Sequence, residues 1–119
     1  MTAPVLRSIA LTAPTGTSGP EAILNTLVSP PVTMRDGERW TAFDLGGISL
    51  ALTSPEELPA GAKASLNIKV EDVDAAWQHL LAAGAAPAAA PAAGAHEQRA
   101  SVWLADGIVL SVYRSLPAS

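Results

Sequence analysis

Arg99-Ala100-Ser101-Val102-Trp103-Leu104-Ala105-Asp106-Gly107-Ile108-Val109-Leu110-Ser111 repeats the pattern of Arg39-Trp40-Thr41-Ala42-Phe43-Asp44-Leu45-Gly46-Gly47-Ile48-Ser49-Leu50-Ala51 at an offset of 60 (99 − 39). Arginine falls on arginine, Phe43 on Trp103, and Gly47-Ile48 on Gly107-Ile108. A second pair, Ser8-Ile9-Ala10-Leu11-Thr12 and Ser65-Leu66-Asn67-Ile68-Lys69, recurs at an offset of 57 (65 − 8). Such a period marks two copies of one supersecondary unit, neither able to bury its apolar face alone.

Each copy reads as β-α-β-β-β. In the first, Val5 to Thr12 alternates as a strand, and Ser18-Gly19-Pro20-Glu21 opens a helix with the stripe Ile23, Leu24, Leu27, Val28. Ser29-Pro30-Pro31 ends it. Three strands follow, near 32–35, 39–45 and 48–53, joined at Asp36-Gly37 and Gly46-Gly47. In the second copy, Ser65 to Glu71 is a strand and Asp72 caps a helix whose stripe is Val73, Ala76, Trp77, Leu80, Leu81, ending at Gly84. Ala85 to Ala95, interrupted by Pro87 and Pro91, is expected to give at most a short edge strand. A hairpin about Asp106-Gly107 closes the copy. The expectation is one α+β domain over 1–119: module one about 4–54, a linker about 55–63, module two about 64–115, forming a curved sheet around a cleft.

The chain has 119 residues, 49% apolar and 15% charged, with a net charge of −4. Seven scattered Lys and Arg argue against a nucleic-acid partner. With no cysteine, disulfides, thiolate metal sites and a cysteine nucleophile are excluded. No apolar run reaches the length of a membrane span and the start has no signal-like pattern, so the expected location is the cytoplasm. Neither a Ser-His-acid constellation nor a glycine-rich phosphate loop stands out.

Paired β-α-β-β-β units, the stretch Lys69-Val70-Glu71-Asp72-Val73-Asp74-Ala75-Ala76-Trp77 leading to Ala83-Gly84-Ala85, and the Asp106-Gly107 hairpin resemble the vicinal oxygen chelate superfamily. That group includes glyoxalase I, extradiol dioxygenases, fosfomycin-resistance enzymes and bleomycin-resistance proteins. The resemblance implies metal ligands, His or Glu, on the first and last strands of each unit. Here those positions are Ser8, Ala51, Ser65 and Ser111, and none is a usual ligand of a catalytic divalent ion. A slip of one residue brings in no better donor. His79, off its helix stripe, and His96, after a flexible segment, read as surface histidines.

Alternation turns Ser8, Ala10, Ser65, Asn67, Lys69, Ser111 and Tyr113 toward the cleft, and Ile9, Leu11, Leu66, Ile68, Val70, Leu110 and Val112 toward the helices. Trp40, Phe43, Trp103 and Tyr113 are candidate stacking surfaces, while Trp77 reads as core. Lys69 reads as a solvated strand end with some capacity to bind an anion, and Arg39 and Arg99 as hairpin or interface residues. The candidate ligand-binding set is therefore Trp40, Phe43, Ser65, Asn67, Lys69, Trp103, Ser111 and Tyr113. The expected function is metal-independent, cofactor-free binding of a small aromatic or hydrophobic molecule, of the kind that sequesters an antibiotic, by a homodimer. The alternatives are a glyoxalase- or dioxygenase-like enzyme and a structural or regulatory module without a ligand.

Overall fold

A computed structural model describes residues 3–117. The first half contributes β1 (Val5–Thr12), α1 (Ser18–Leu24), β2 (Val32–Asp36), β3 (Trp40–Asp44) and β4 (Ser49–Thr53). A 3₁₀ turn at Pro55–Glu57 leads to the second half: β5 (Ala64–Lys69), α2 (Val73–Ala82), β6 (Ala86–Ala93), β7 (Glu97–Ala105) and β8 (Ile108–Ser115). The strands form one sheet in the order β2-β3-β4-β1-β5-β8-β7-β6. The order reads alike from either end, which is the repeat seen as topology. Antiparallel pairing of β1 with β5, centred on Ile9 opposite Leu66, joins the halves. This is the curved α+β sheet of two β-α-β-β-β units that the repeat implies.

The ladders test the repeat residue by residue. Ser8 sits opposite Ser49 in the first half and Ser65 opposite Val109 in the second, so the offsets of 57 on β1/β5 and 60 on β4/β8 (109 − 49) agree. The third strand departs from them. Trp40, Ala42 and Phe43 face Thr53, Ala51 and Leu50, whereas Arg99, Ser101 and Val102 face Tyr113, Ser111 and Leu110. The β3/β7 offset is thus 59 (99 − 40). An irregularity between Trp103 and Ala105 takes up the extra residue and throws Leu104 outward, 52% exposed. The structural mate of Phe43 is Val102 rather than Trp103, and that of Arg99 is Trp40 rather than Arg39.

Helix α2 follows its sequence signals closely. The Asp72 carboxylate accepts the Ala75 N–H at 3.0 Å. At the other end Ala85 N–H bonds Leu80 C=O and Gly84 N–H bonds Leu81 C=O, a Schellman stop around Gly84 at φ +100°. Val73 and Trp77 pack with Ala100, Val102 and Val112 to make the core of this half. Helix α1 is weaker than its stripe suggests. It stops at Leu24, its Thr17 cap spends its hydroxyl on Thr41 at 3.0 Å, and it buries no residue. Leu27 and Val28 fall beyond its end, exposed.

The Ala/Pro/Gly segment forms a full eight-residue strand, β6, where at most a short one was expected. Pro87 and Pro91 are compatible with it because β6 is an edge strand, and its register against β7 shifts between Pro87 and Ala89 and again between Ala89 and Ala92, across Pro91.

Candidate functional site

The face of the sheet opposite the helices carries two different surfaces. On the second half, Ser65, Asn67, Ser101 and Ser111 are all buried and bonded to one another. Ser65 Oγ donates to Asn67 Oδ1 at 2.7 Å, Ser65 and Ser111 hydroxyls lie 2.9 Å apart, and Ser101 and Ser111 hydroxyls 2.7 Å apart. One hydroxyl carries one proton, so the direction is determined. With the Ser65 proton on Asn67, Ser111 donates to Ser65 and Ser101 donates to Ser111. Asn67 Nδ2 in turn donates to Ser8 Oγ at 3.0 Å, carrying the chain across the junction of the halves. On the first half the positions corresponding to Asn67, Ser101 and Ser111 are Ala10, Ala42 and Ala51, also buried but without a polar atom in the side chain, while Ser8, the mate of Ser65, keeps its hydroxyl.

Arg99 fixes the open end of that chain. Its NH1 donates to Asn67 Oδ1 at 3.0 Å, its Nε to Glu97 Oε2 at 2.6 Å, and its guanidinium carbon lies 5.4 Å from the centre of the Tyr113 ring. Burial, reinforced by Glu97 and opposed by Arg7 and Arg99, raises the Tyr113 pKa, so its phenol keeps its proton at neutral pH.

Between the halves these groups border a pocket of about 230 Å³, lined by Ala10, Trp40, Glu57, Leu58, Asn67, Glu97 and Arg99. Trp40 and Arg99 enter it from corresponding positions of β3 and β7. The linker supplies Glu57, held by Arg39 NH1 at 2.9 Å, and the half-buried Leu58. Ala10 of β1 adds a methyl group to the lining. Trp40 Nε1 is buried and has no hydrogen-bond partner among the described residues. At roughly 30 Å³ per water the pocket has the volume of about eight waters, room for a single ring.

The structure brings together Trp40 and Asn67 on the pocket wall, with Ser65 and Ser111 behind Asn67 and Tyr113 behind Arg99. It separates the others. Phe43 is fully buried on the opposite, helix-facing side, because it pairs with Leu50 and lies three residues from Trp40 on one strand. Trp103 shares the cleft face but borders a different cavity, of about 460 Å³, with Gly61, Lys63 and Gly107. Lys69 is exposed beside Arg7 and Glu71. Arg99, Glu97, Glu57 and Leu58 were missed. Alternation from Trp103 is the signal that could have found Arg99, read instead as a hairpin or interface residue, whereas nothing local in Glu57-Leu58 shows that the linker folds over this face.

The donors do not fit a catalytic divalent ion at the superfamily's ligand positions. Ser8, Ser65 and Ser111 offer neutral hydroxyls already engaged with Asn67 and with each other, and Ala51 offers a methyl group. Among the described residues no group of three or more His, Cys, Asp and Glu converges. His79 and His96 are both exposed. Among the described residues no helix is long and apolar enough to cross a membrane.

Solved structures share this architecture. A glyoxalase/bleomycin resistance protein/dioxygenase superfamily member from Vibrio splendidus superimposes with a TM-score of 0.70 at 16% identity, covering 94% of this chain and 100% of that one. An NAD-dependent benzaldehyde dehydrogenase from Legionella pneumophila gives 0.70 at 15% identity, over 92% and 98% of the two chains. Streptomyces coelicolor methylmalonyl-CoA epimerase in complex with 2-nitronate-propionyl-CoA gives 0.63 at 14%, over 94% and 97%. These proteins differ in chemistry, so what the likeness fixes is the fold. No family model matches the sequence. The chain has the vicinal oxygen chelate fold of the glyoxalase/bleomycin resistance/dioxygenase superfamily. Within that class it belongs to one family with an uncharacterized protein from Mycolicibacterium smegmatis, 40% identical over 82 residues that span 69% of this chain and 71% of the relative.

Proposed function

We propose that the chain is a metal-independent binding protein for a small aromatic molecule, held between Trp40 and Arg99. The observation that carries this reading is the convergence of those two side chains, from equivalent strands of the two halves, on one pocket. A flat apolar surface facing a few fixed polar groups is the make-up of a small-molecule site. The donor set at the superfamily's metal positions favours binding over glyoxalase- or dioxygenase-type catalysis, because hydroxyls locked in a hydrogen-bond chain are poor ligands. The pocket's volume narrows the drug-sequestering reading to a single-ring ligand, or to one ring of a larger molecule. We propose further that the protein acts as a homodimer, its second copy covering the exposed apolar groove beside α1.

Titration of purified protein with aromatic compounds, followed by tryptophan emission, tests the site. Wild type is expected to show a saturable change that Trp40→Phe abolishes, since Trp77 is core and Trp103 borders another cavity. A change that survives in Trp40→Phe, or stoichiometric Ni, Fe, Mn or Zn lost on Ser111→Ala, overturns the proposal.

A further inference from the structure

Given the Trp40–Arg99 pocket as the binding site, we infer that its ligand class is a neutral single-ring molecule carrying an amide, such as a ring carboxamide or lactam. The charges lining the pocket are already matched. Glu97 is bonded to Arg99 at 2.6 Å and Glu57 to Arg39 at 2.9 Å. The first pair is partly withdrawn from water, with side-chain exposures of 38% for both partners, whereas Arg39 and Glu57 are both exposed residues. A charged ligand that competes for Arg99 or Glu97 exchanges one part-exposed ion pair for another and so gains little over the pair it breaks. A neutral ligand leaves both pairs intact.

What the pairs leave unused has the pattern of an amide. Arg99 carries five N–H donors and the described bonds to Glu97 and Asn67 use two of them. Glu97 accepts through Oε2, and its other oxygen has no described bond. A donor and an acceptor thus stand side by side, complementary to a C=O next to an N–H. The volume admits one ring on the indole, and the aliphatic neighbours Ala10 and Leu58 supply no competing polar group.

The test uses full-length protein and four probes of one size: benzamide, benzoate, benzylamine and toluene. Binding is followed by the Trp40 indole N–H resonance, assigned with Trp40→Phe. Benzamide is expected to bind about tenfold or more tighter than each of the others, a margin that corresponds to the cost of one unmatched polar or charged group. Glu97→Gln, a near-isosteric change at a side chain 38% exposed, frees the Arg99 charge and is expected to invert the order, with benzoate tighter than benzamide. Benzoate, benzylamine or toluene equalling benzamide in the wild type overturns the ligand class while leaving the pocket standing, and so does an unchanged order in Glu97→Gln. If none of the four moves the Trp40 resonance, the pocket reading itself fails.

Discussion

The two halves share a chain path and divide the work unequally. On the helix side, the second half has a ten-residue helix stopped cleanly at both ends, with Trp77 only 8% exposed in a closed core. The first half has a seven-residue helix without a side-chain cap, and Ile23 is 74% exposed. On the cleft side, the second half presents Asn67, Ser101 and Ser111 where the first presents Ala10, Ala42 and Ala51. One half is therefore a stable polar floor, and the other an apolar wall with an unfinished outer face. Duplication fixes where side chains point, while the chemistry at each point diverges freely, because a strand face tolerates either small hydroxyls or small methyls provided the hydroxyls are bonded.

The comparison is broken most severely at the second helix. Trp77→Ala removes the largest side chain of the core around Val73, Ala100, Val102 and Val112 and is expected to cost about 3–5 kcal/mol, a large part of the stability of a small domain. Ile23→Ala, at a position on the first helix, is expected to change stability by about 0.5 kcal/mol or less. Urea denaturation measures both. Equal losses would mean that α1 is docked as firmly as α2, contrary to its exposure.

Much of this contrast was legible in the sequence, and the reasons for the exceptions are physical. The period of two on β5 and β8 locked Ser65, Asn67, Ser111 and Tyr113 to one face, and Asp72 and Gly84 bracketed α2 by capping chemistry. The repeat misled on β3 and β7. Aligning the turns carried Phe43 onto Trp103 and Arg39 onto Arg99, but the bulge at Leu104 moves the true correspondence by one residue, and one residue on a strand exchanges the two faces. The turn alignment puts Phe43 at the cleft and Arg99 at the hairpin; in the structure Phe43 is buried on the helix side and Arg99 lines the pocket. A bulge of this type has no obligatory residue, so no local pattern announced it. The rest of the pocket depends on where the linker folds, and Glu57 and Leu58 reach it only through long-range packing.

The cleft side is sharpened by exchanging chemistry between symmetry mates. Ser111→Ala removes the acceptor of Ser101 and the donor to Ser65, both buried, and is expected to cost about 1–3 kcal/mol. The opposite exchange, Ala51→Ser, buries a hydroxyl beside Ala10 and Ala42, whose side chains cannot bond it, and is expected to destabilise by a similar amount, about 1–3 kcal/mol. Thermal unfolding of the two variants decides the matter. Small-residue packing alone predicts near-neutral changes at both positions, whereas a directed hydrogen-bond chain on one half only predicts a loss at each.

The smallest effect on stability falls on the outer face of the first half and carries the most about assembly. Leu11, Ile23, Leu24, Leu50 and Leu52 border an apolar groove, with Leu11 39% and Ile23 74% exposed. The equivalent face of the second half is closed by α2 and Trp77. If a second copy completes what α1 leaves open, light scattering of the wild type gives about twice the chain mass of 12.1 kDa, and Ile23→Glu lowers it to one chain. The substitution exchanges one exposed side chain for another, so the folding stability of each chain is expected to move by about 0.5 kcal/mol or less. A wild type that stays at one chain mass across the accessible concentrations refutes the dimer and leaves the first half's outer face open. A dimer indifferent to Ile23→Glu moves the contact to another surface, with the exposed edge strand β2, Val32–Asp36, the next to be altered.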